Sequence, residues 1–506
     1  MENIPANLPD SIDKLPENLD ENIKVVRNYI NGEWCHSNTG KYIVNNKPAT
    51  GKVLSYIPRS DKHDVDRAIE AARVANKNKV WSGLPEEARA SFLDKIADKI
   101  QERFEEAAQL ESQDCGKPIT TARSIDIDRA VKNFRFFAGA IRHQETGCHT
   151  LGTTAINYTV RRPIGVAVLI TPWNLPLYLL SWKVAPALAC GNCVVIKPSE
   201  LTPMTANLLM EVVHELMLPP GVVNLVHGYG SEVGSALVSH QHVHLVSFTG
   251  GTKTGQHVNT LAANSFKKIS LELGGKNSMI VFNDCDVEKA VQVAKRAGWA
   301  NTGQVCLCCS RMLVQEDIYD RFVQLLTTQL QSMKIGDVSD SSTELGSLIS
   351  QSHRAKVEYY VELSKTEGGK ILHGGKRPAH LENTEFESGA FLEPTLIGEL
   401  SPSSRTSTEE IFGPVVVIHR FKTEEEALEI ANGVRYGLCS SVFTNDLKRA
   451  HRFSDELECG MVWVNTWLLR DLRVPFGGTK ESGLGREGGK YSLEFYSEDK
   501  NVCISL

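Results

Sequence analysis

The sequence predicts an α/β protein, with a doubly wound parallel sheet followed by a second α/β unit. Three observations predict it. Short apolar runs alternate with helical patterns between residues 166 and 273, and such alternation implies a parallel sheet covered by helices on both faces. Gly274-Gly275 breaks that pattern, and a second alternating region runs from 279 to about 475. The length of 506 residues suggests roughly three structural units at about 150 residues each.

Composition excludes several classes. Hydrophobic residues make up 41% and charged residues 23%, as in ordinary globular proteins. Fifty-five bases against 61 acids give a net charge of −6, which argues against a nucleic-acid partner. Twelve cysteines in 506 residues are too sparse for a disulfide scaffold.

The elements follow in chain order. Residues 1–25 hold six acids, two bases and Pro5, Pro9 and Pro16. They match neither a secretory signal nor an Arg-rich presequence, and read as a flexible or loosely packed acidic arm. Val65, Ala68, Ile69 and Ala72 predict a helix over 61–79. Phe92, Ile96, Ile100, Phe104 and Ala108 predict another over 85–112, and a third is expected over 120–145. Residues 154–160 read as an exposed strand. Strands are then expected at 166–170, 193–196, 222–226, 245–248 and 269–273. The helices between them cover 177–190, 204–217 and 232–239, with one more after Gly250-Gly251. The end, 494–506, reads as a closing strand. The most apolar stretch, 164–180, contains Pro172, Asn174 and Pro176, so it is no membrane span. The expected compartment is the reducing cytosol.

Several residues can carry chemistry. Cys306 closes Asn301-Thr302-Gly303-Gln304-Val305-Cys306. A thiolate is a strong nucleophile, although an isolated cysteine reads first as buried packing. Cys306, Cys308 and Cys309 supply three sulfurs where structural zinc needs four ligands, so no metal is expected. Glu272 ends the strand 269–273 just before the glycine pair, where an acid faces the ligand crevice of such sheets and can act as a general base. Its bland reading is an ion-paired acid at a sheet end. Asn174, after the strand 166–170, can donate to an oxyanion or simply make a turn between prolines. Gly228-Tyr229-Gly230 with Gly234 is not a strict GxGxxG pattern. Phe248-Thr249-Gly250-Gly251 joins a strand to a helix, where free N–H groups favour a pyrophosphate. Lys197-Pro198-Ser199-Glu200 follows another strand end, and an acid there can accept from ribose hydroxyls.

Together these segments resemble the NAD(P)-dependent aldehyde dehydrogenase superfamily. The likeness covers nearly the whole chain from about residue 28. It rests on Thr171-Pro172-Trp173-Asn174, Lys197-Pro198-Ser199-Glu200, Phe248-Thr249-Gly250, Leu271-Glu272-Leu273-Gly274-Gly275 and Gly303-Gln304-Val305-Cys306. Glu409-Glu410-Ile411-Phe412-Gly413-Pro414 and Pro475-Phe476-Gly477-Gly478 complete it. Each motif is weak alone, but their shared order and spacing reverse the bland readings of Cys306, Glu272 and Asn174.

The resemblance implies a Rossmann-like coenzyme domain over 26–148 and 164–274 and an α/β catalytic domain over 275–475. It also implies a small β oligomerisation domain over 149–163 and 488–506, hence a homodimer or homotetramer. Cys306 is then the nucleophile that forms a thiohemiacetal, Asn174 and the Cys306 N–H hold its oxyanion, and Glu272 activates the hydrolytic water. Lys183 joins a proton relay. NAD is the implied cofactor. Ile170, Thr171, Trp173, Lys197 and Glu200 fall on its site. So do Gly230, Gly234, Phe248, Thr249, Gly250, Gly251, Gly255 and Leu273. Glu410 holds the nicotinamide ribose, with Phe412 packed nearby. A carboxylate at Glu200 would repel a 2′-phosphate and favour NAD over NADP. Gly251 stands where many relatives have Ser, which removes one hydroxyl contact to the pyrophosphate.

Within the family, Asn133-Phe134-Arg135-Phe136-Phe137-Ala138, Leu175-Pro176-Leu177-Tyr178-Leu179-Leu180, Cys306-Leu307-Cys308 and Asn465-Thr466-Trp467-Leu468-Leu469-Arg470 resemble members whose aldehyde carries a distant carboxylate. Arg gives a carboxylate bidentate geometry, and Arg123 and Arg470 are the candidates. Asp128 stands where that group has Pro. The alternatives are an apolar aldehyde such as retinal, a cysteine acyltransferase or hydrolase without nicotinamide, and a non-catalytic scaffold.

Overall fold

The computed structural model describes residues 8–506. Its largest sheet has eight strands. The five central strands are parallel, in the order Lys268–Glu272, Leu245–Thr249, Val166–Ile170, Cys193–Lys197, Val223–Leu225. Antiparallel Gly483–Leu484 flanks one side and Asn28–Ile30 with Glu33–Cys35 the other. Every residue of Val166–Ile170 and Cys193–Lys197 is buried, as expected for strands covered on both faces. The winding direction reverses between Val166–Ile170 and Leu245–Thr249, where Ile170 is in register with Phe248. The crevice beyond the carboxyl ends of such a pair is where open α/β sheets bind ligands.

A second sheet of seven strands follows the order Lys370–His373, Thr395–Gly398, Val415–Phe421, Arg311–Gln315, Ser278–Val281, Cys439–Phe443, Met461–Val464. It is parallel except for its first pair. The third sheet is antiparallel: Cys148–Leu151, Ala155–Pro163 and Ser497–Ser505.

Several boundaries differ from the sequence reading. The helix expected over 85–112 is two, Glu86–Glu102 and Phe104–Cys115. Arg103 leaves helical geometry at φ −100°, ψ 23°, and its guanidinium holds Glu106 at 2.8 Å and Glu211 at 2.5 Å. The helix expected over 120–145 begins with a π turn, Ala122–Ile127, before Asp128–Arg142. That turn carries buried Asp126 to Lys117 Nζ, 2.9 Å away, a tertiary pairing no local pattern reveals. The region 232–239 likewise splits into a π turn, Gly230–Gly234, and a short helix, Ser235–Ser239. The closing strand starts only at Ser497 because Gly489–Phe495 is helical.

The first seven residues of the acidic arm lie outside the described residues. The next ones are attached more firmly than expected. Ser11–Ile12 pairs with Tyr42 and Ile43, and the Val44 N–H donates to the Asp10 carbonyl at 2.8 Å. Among the described residues no helix is long and apolar enough to cross a membrane.

Candidate active site

The helix Val287–Trp299 ends in a tight turn, Ala300–Gly303. Asn301, Thr302 and Gly303 all adopt left-handed backbone, at φ 50°, 58° and 69°. For a non-glycine residue this costs about 1–3 kcal/mol, so packing must hold it. Gly303 is irreplaceable there, because a Cβ would stand 2.0 Å from the Gly413 carbonyl oxygen. The turn delivers Cys306 to the junction of the two large sheets. The Asn277 amide pins that loop, donating to the carbonyls of Cys306 at 2.7 Å and Cys308 at 2.9 Å.

Asn174 is buried and faces the same loop. Its side-chain amide donates to the Gln304 carbonyl at 2.9 Å. Its backbone carbonyl accepts from Lys117 Nζ at 2.9 Å and Asn301 Nδ2 at 3.0 Å. One amide N–H is thus spent on fixing orientation, which leaves the other able to donate to a further acceptor.

Glu272 ends Lys268–Glu272, in register with Thr249 and Gly483. Its Oε1 is buried with no hydrogen-bond partner. Burial pushes its carboxyl well above the usual range, Glu487 adds to this, and Lys183, Arg470 and Arg486 oppose it. Lys183 Nζ is buried between Glu487 Oε1 at 3.0 Å and Ser247 Oγ at 2.8 Å. Burial pushes the Cys306 thiol up to about 12, with Glu272 and Glu410 adding and Arg470 opposing. The half-buried Cys306 thiol thus lies within electrostatic reach of a carboxyl of raised proton affinity whose Oε1 has no partner, and such a pair is chemically suited to supply a nucleophile and a base.

Cys308 and Cys309 are buried, and their thiols lie toward the Ala300 carbonyl and Ser441 Oγ respectively. Both act in packing in this structure.

A cavity of about 710 Å³ opens at the sheet crevice. Ile170, Thr171, Trp173, Lys197, Glu200, Gly230, Phe248, Thr249, Gly250 and Gly251 line it. Gly234, Gly255, Leu273, Glu410 and Phe412 do not. Gly255 instead lets its helix approach the sheet, since a Cβ would stand 2.4 Å from Leu273 Cδ2. Glu410 crosses from the second sheet to accept the Gly275 N–H at 2.9 Å. The Phe412 ring packs edge-on to Trp173 at 5.3 Å.

The donor set fits a dinucleotide. Lys197 Nζ holds Glu200 Oε2 at 2.7 Å. Burial would raise the Glu200 carboxyl, but the Lys197 ammonium overrides it and the acid lies below its usual range. The helix Thr252–Ala263 starts from Gly251 with no side-chain cap, which leaves its first N–H groups for an anion. A Cβ on Gly251 would meet nothing within 4 Å, so the missing hydroxyl leaves open space. The motif reading missed the far wall, where Ser350, His353, Lys356 and Tyr359 approach from the second α/β unit. No glycine pattern or strand end marks that helix, so its signal was absent from the sequence.

Arg470 is wedged between aromatic rings, 4.0 Å from the Phe476 centroid and 4.5 Å from Trp182. Its Nη1 donates to Tyr178 Oη at 2.9 Å, while Nε and Nη2 are buried without partners. Its charge reaches both Cys306 and Glu272. Arg123, the other candidate for a substrate carboxylate, is in an ion pair instead. It lies on the surface and grips Glu105 through Nε at 2.9 Å and Nη2 at 2.5 Å, so an incoming carboxylate must displace an acid already there.

The sequence profile of the Aldehyde dehydrogenase family matches residues 34–502. Over 481 residues the chain is 44% identical to 2-aminomuconic semialdehyde dehydrogenase of Mus musculus, covering 95% of this chain and 98% of that one. It is also 44% identical to 2-hydroxymuconic semialdehyde dehydrogenase of Pseudomonas sp. (strain CF600), covering 96% and 100%. The structure resembles betaine aldehyde dehydrogenase from Staphylococcus aureus in complex with NAD+, with a TM-score of 0.91, 42% identity and 94% of each chain covered.

Proposed function

The chain belongs to the aldehyde dehydrogenase family, and from that premise we propose that it oxidises a carboxylate-bearing semialdehyde to the acid, with NAD as oxidant. The substrate we assign is 2-aminomuconate 6-semialdehyde, giving 2-aminomuconate in the kynurenine route of tryptophan catabolism. One observation carries this reading: Arg470 is a half-buried cation whose Nε and Nη2 are enclosed and unpartnered, within electrostatic reach of the Cys306 and Glu272 whose proton affinities it lowers. Enclosed donors without acceptors are costly, and a substrate carboxylate would relieve that cost while aiming the aldehyde end at the thiol.

The chemistry follows from the residues. Glu272 takes the Cys306 proton, and the sulfur bonds to the aldehyde carbon. The free N–H of the Asn174 amide, with the Cys306 N–H, receives the negative oxygen. The hydride that this adduct must lose to become a thioester would go to bound NAD, which is the chemistry the cofactor supplies. Glu272, once it has passed the first proton on, takes a proton from water, whose oxygen adds to the thioester carbon, and the carbon–sulfur bond breaks to release the acid and regenerate the thiolate. Lys183 and Glu487 give the Glu272 proton an onward route through buried polar groups. Lys197, Glu200 and Glu410 would hold the two riboses, and the ionised Glu200 would disfavour a 2′-phosphate.

The division of labour is coenzyme binding by 26–148 and 164–274, catalysis by 275–475, and assembly by 149–163 with 488–506. Strand Cys148–Leu151 is fully exposed, and Leu151 and Ile504 lie bare on this sheet. An open strand edge of this kind invites pairing with a second copy, which supports a homodimer or homotetramer. None of the twelve cysteines is paired, in keeping with a reducing cytosol.

The test is kcat/KM from NADH absorbance at 340 nm, across carboxylate-bearing, apolar and cationic aldehydes with NAD and NADP. The carboxylate-bearing semialdehyde with NAD is expected to lead. A higher kcat/KM for an apolar aldehyde such as retinal would overturn the substrate.

A further inference from the structure

We infer that residues 8–13 of the N-terminal arm form part of the dinucleotide site, as an apolar wall at its adenosine end. This rests on the reading that the large cavity takes the dinucleotide. The family profile begins only at residue 34, and residues 8–13 precede it.

The arm reaches the cavity and is held there by five attachments. The Tyr229 hydroxyl donates to the Pro9 carbonyl at 2.5 Å. The Val44 N–H donates to the Asp10 carbonyl at 2.8 Å, and Ser11–Ile12 pairs with Tyr42 and Ile43. Arg59 Nη1 donates to Ser11 Oγ at 3.2 Å, and Lys41 holds Asp13 at 2.9 Å. Tyr229 is itself fixed, because the Arg59 guanidinium lies 5.1 Å from its ring centroid and pairs with Glu232.

These attachments set which end of the cavity the arm covers. Tyr229 immediately precedes Gly230, and Leu8 and Pro9 line the cavity together with Gly230, Glu200 and Leu201. Glu200 marks a ribose, and the adenine joined to that ribose lies one bond farther on. Leu8 is 52% exposed, an apolar side chain on a cavity rim that a flat base would cover. A prolyl ring and a leucine present the apolar surface that a purine face seeks.

The experiment is calorimetric titration of NAD into the full chain, into the chain lacking residues 1–13, and into Leu8→Asp and Tyr229→Phe. Thermal melts without NAD check folding, and Leu8→Asp changes a half-exposed side chain that the fold does not need. The truncated chain and Leu8→Asp are expected to bind NAD about three- to tenfold more weakly, with Tyr229→Phe shifted the same way by less. A Kd for Leu8→Asp and for the truncated chain within twofold of the full chain would overturn the inference. Failure of the full chain itself to bind NAD would instead remove the assignment of the cavity, and this inference with it.

Discussion

Gly275 donates its backbone N–H to Glu410 Oε1 at 2.9 Å, and this bond joins the first α/β unit to the second at the mouth of the candidate site. The neighbouring Gly274 makes it possible, because a Cβ there would stand 2.1 Å from Glu410 Oε2. Gly274→Ala is therefore expected to push the Glu410 carboxylate aside and raise the KM for NAD by about tenfold or more. Steady-state kinetics with varied NAD checks this. An unchanged KM would show that Glu410 does not hold the cofactor.

The pH dependence follows from Glu272. Burial first, then the Glu487 charge, raise its carboxyl above the ordinary value of 4.5. A base must be deprotonated, so activity is lost as pH falls through this raised value. The acid limb of the kcat profile is expected above pH 4.5 rather than at it. Glu487→Gln removes the repulsion and should move that limb to lower pH. A limb that stays in place, or rises, would break the proposed coupling. Glu272→Gln is expected to lower kcat about 100-fold or more.

Substrate choice is read at Arg470. Arg470→Met keeps a long side chain between Trp182 and Phe476 but removes the charge. It should raise KM for a carboxylate-bearing semialdehyde about 30-fold or more while changing that of a neutral aldehyde about threefold or less. Arg123→Ala should have the smaller effect of the two, because Glu105 already occupies its guanidinium. Equal losses on both aldehydes would remove Arg470 from substrate binding.

Cofactor choice is read at Glu200. Glu200→Ser removes the carboxylate and frees Lys197, which now spends its ammonium on Glu200 at 2.7 Å. The ratio of kcat/KM for NADP to that for NAD is expected to rise about tenfold or more, because a cation then faces the 2′-phosphate in place of an acid. No change in that ratio would place the ribose elsewhere.

What the sequence determined by itself is local and periodic. Alternating apolar runs announced the parallel sheet at Val166–Ile170 and Cys193–Lys197, because strands buried on both faces must be apolar throughout. Short motifs, weak one by one, singled out Cys306, Glu272 and Asn174 only through their shared order and spacing along the chain. Tertiary structure alone decided the rest. Lys183 meets Glu487 across 304 positions, and no pattern around Glu487 announces it. The helix break at Arg103 serves an ion pair with Glu211, 108 positions away. The cavity wall at His353 and Lys356, the Glu105 that occupies Arg123, and the docking of Leu8 and Pro9 are likewise contacts between remote segments. The physical reason is the same in each case: backbone periodicity is set by near neighbours, whereas the charge, burial and enclosure that make a site depend on what the fold brings alongside.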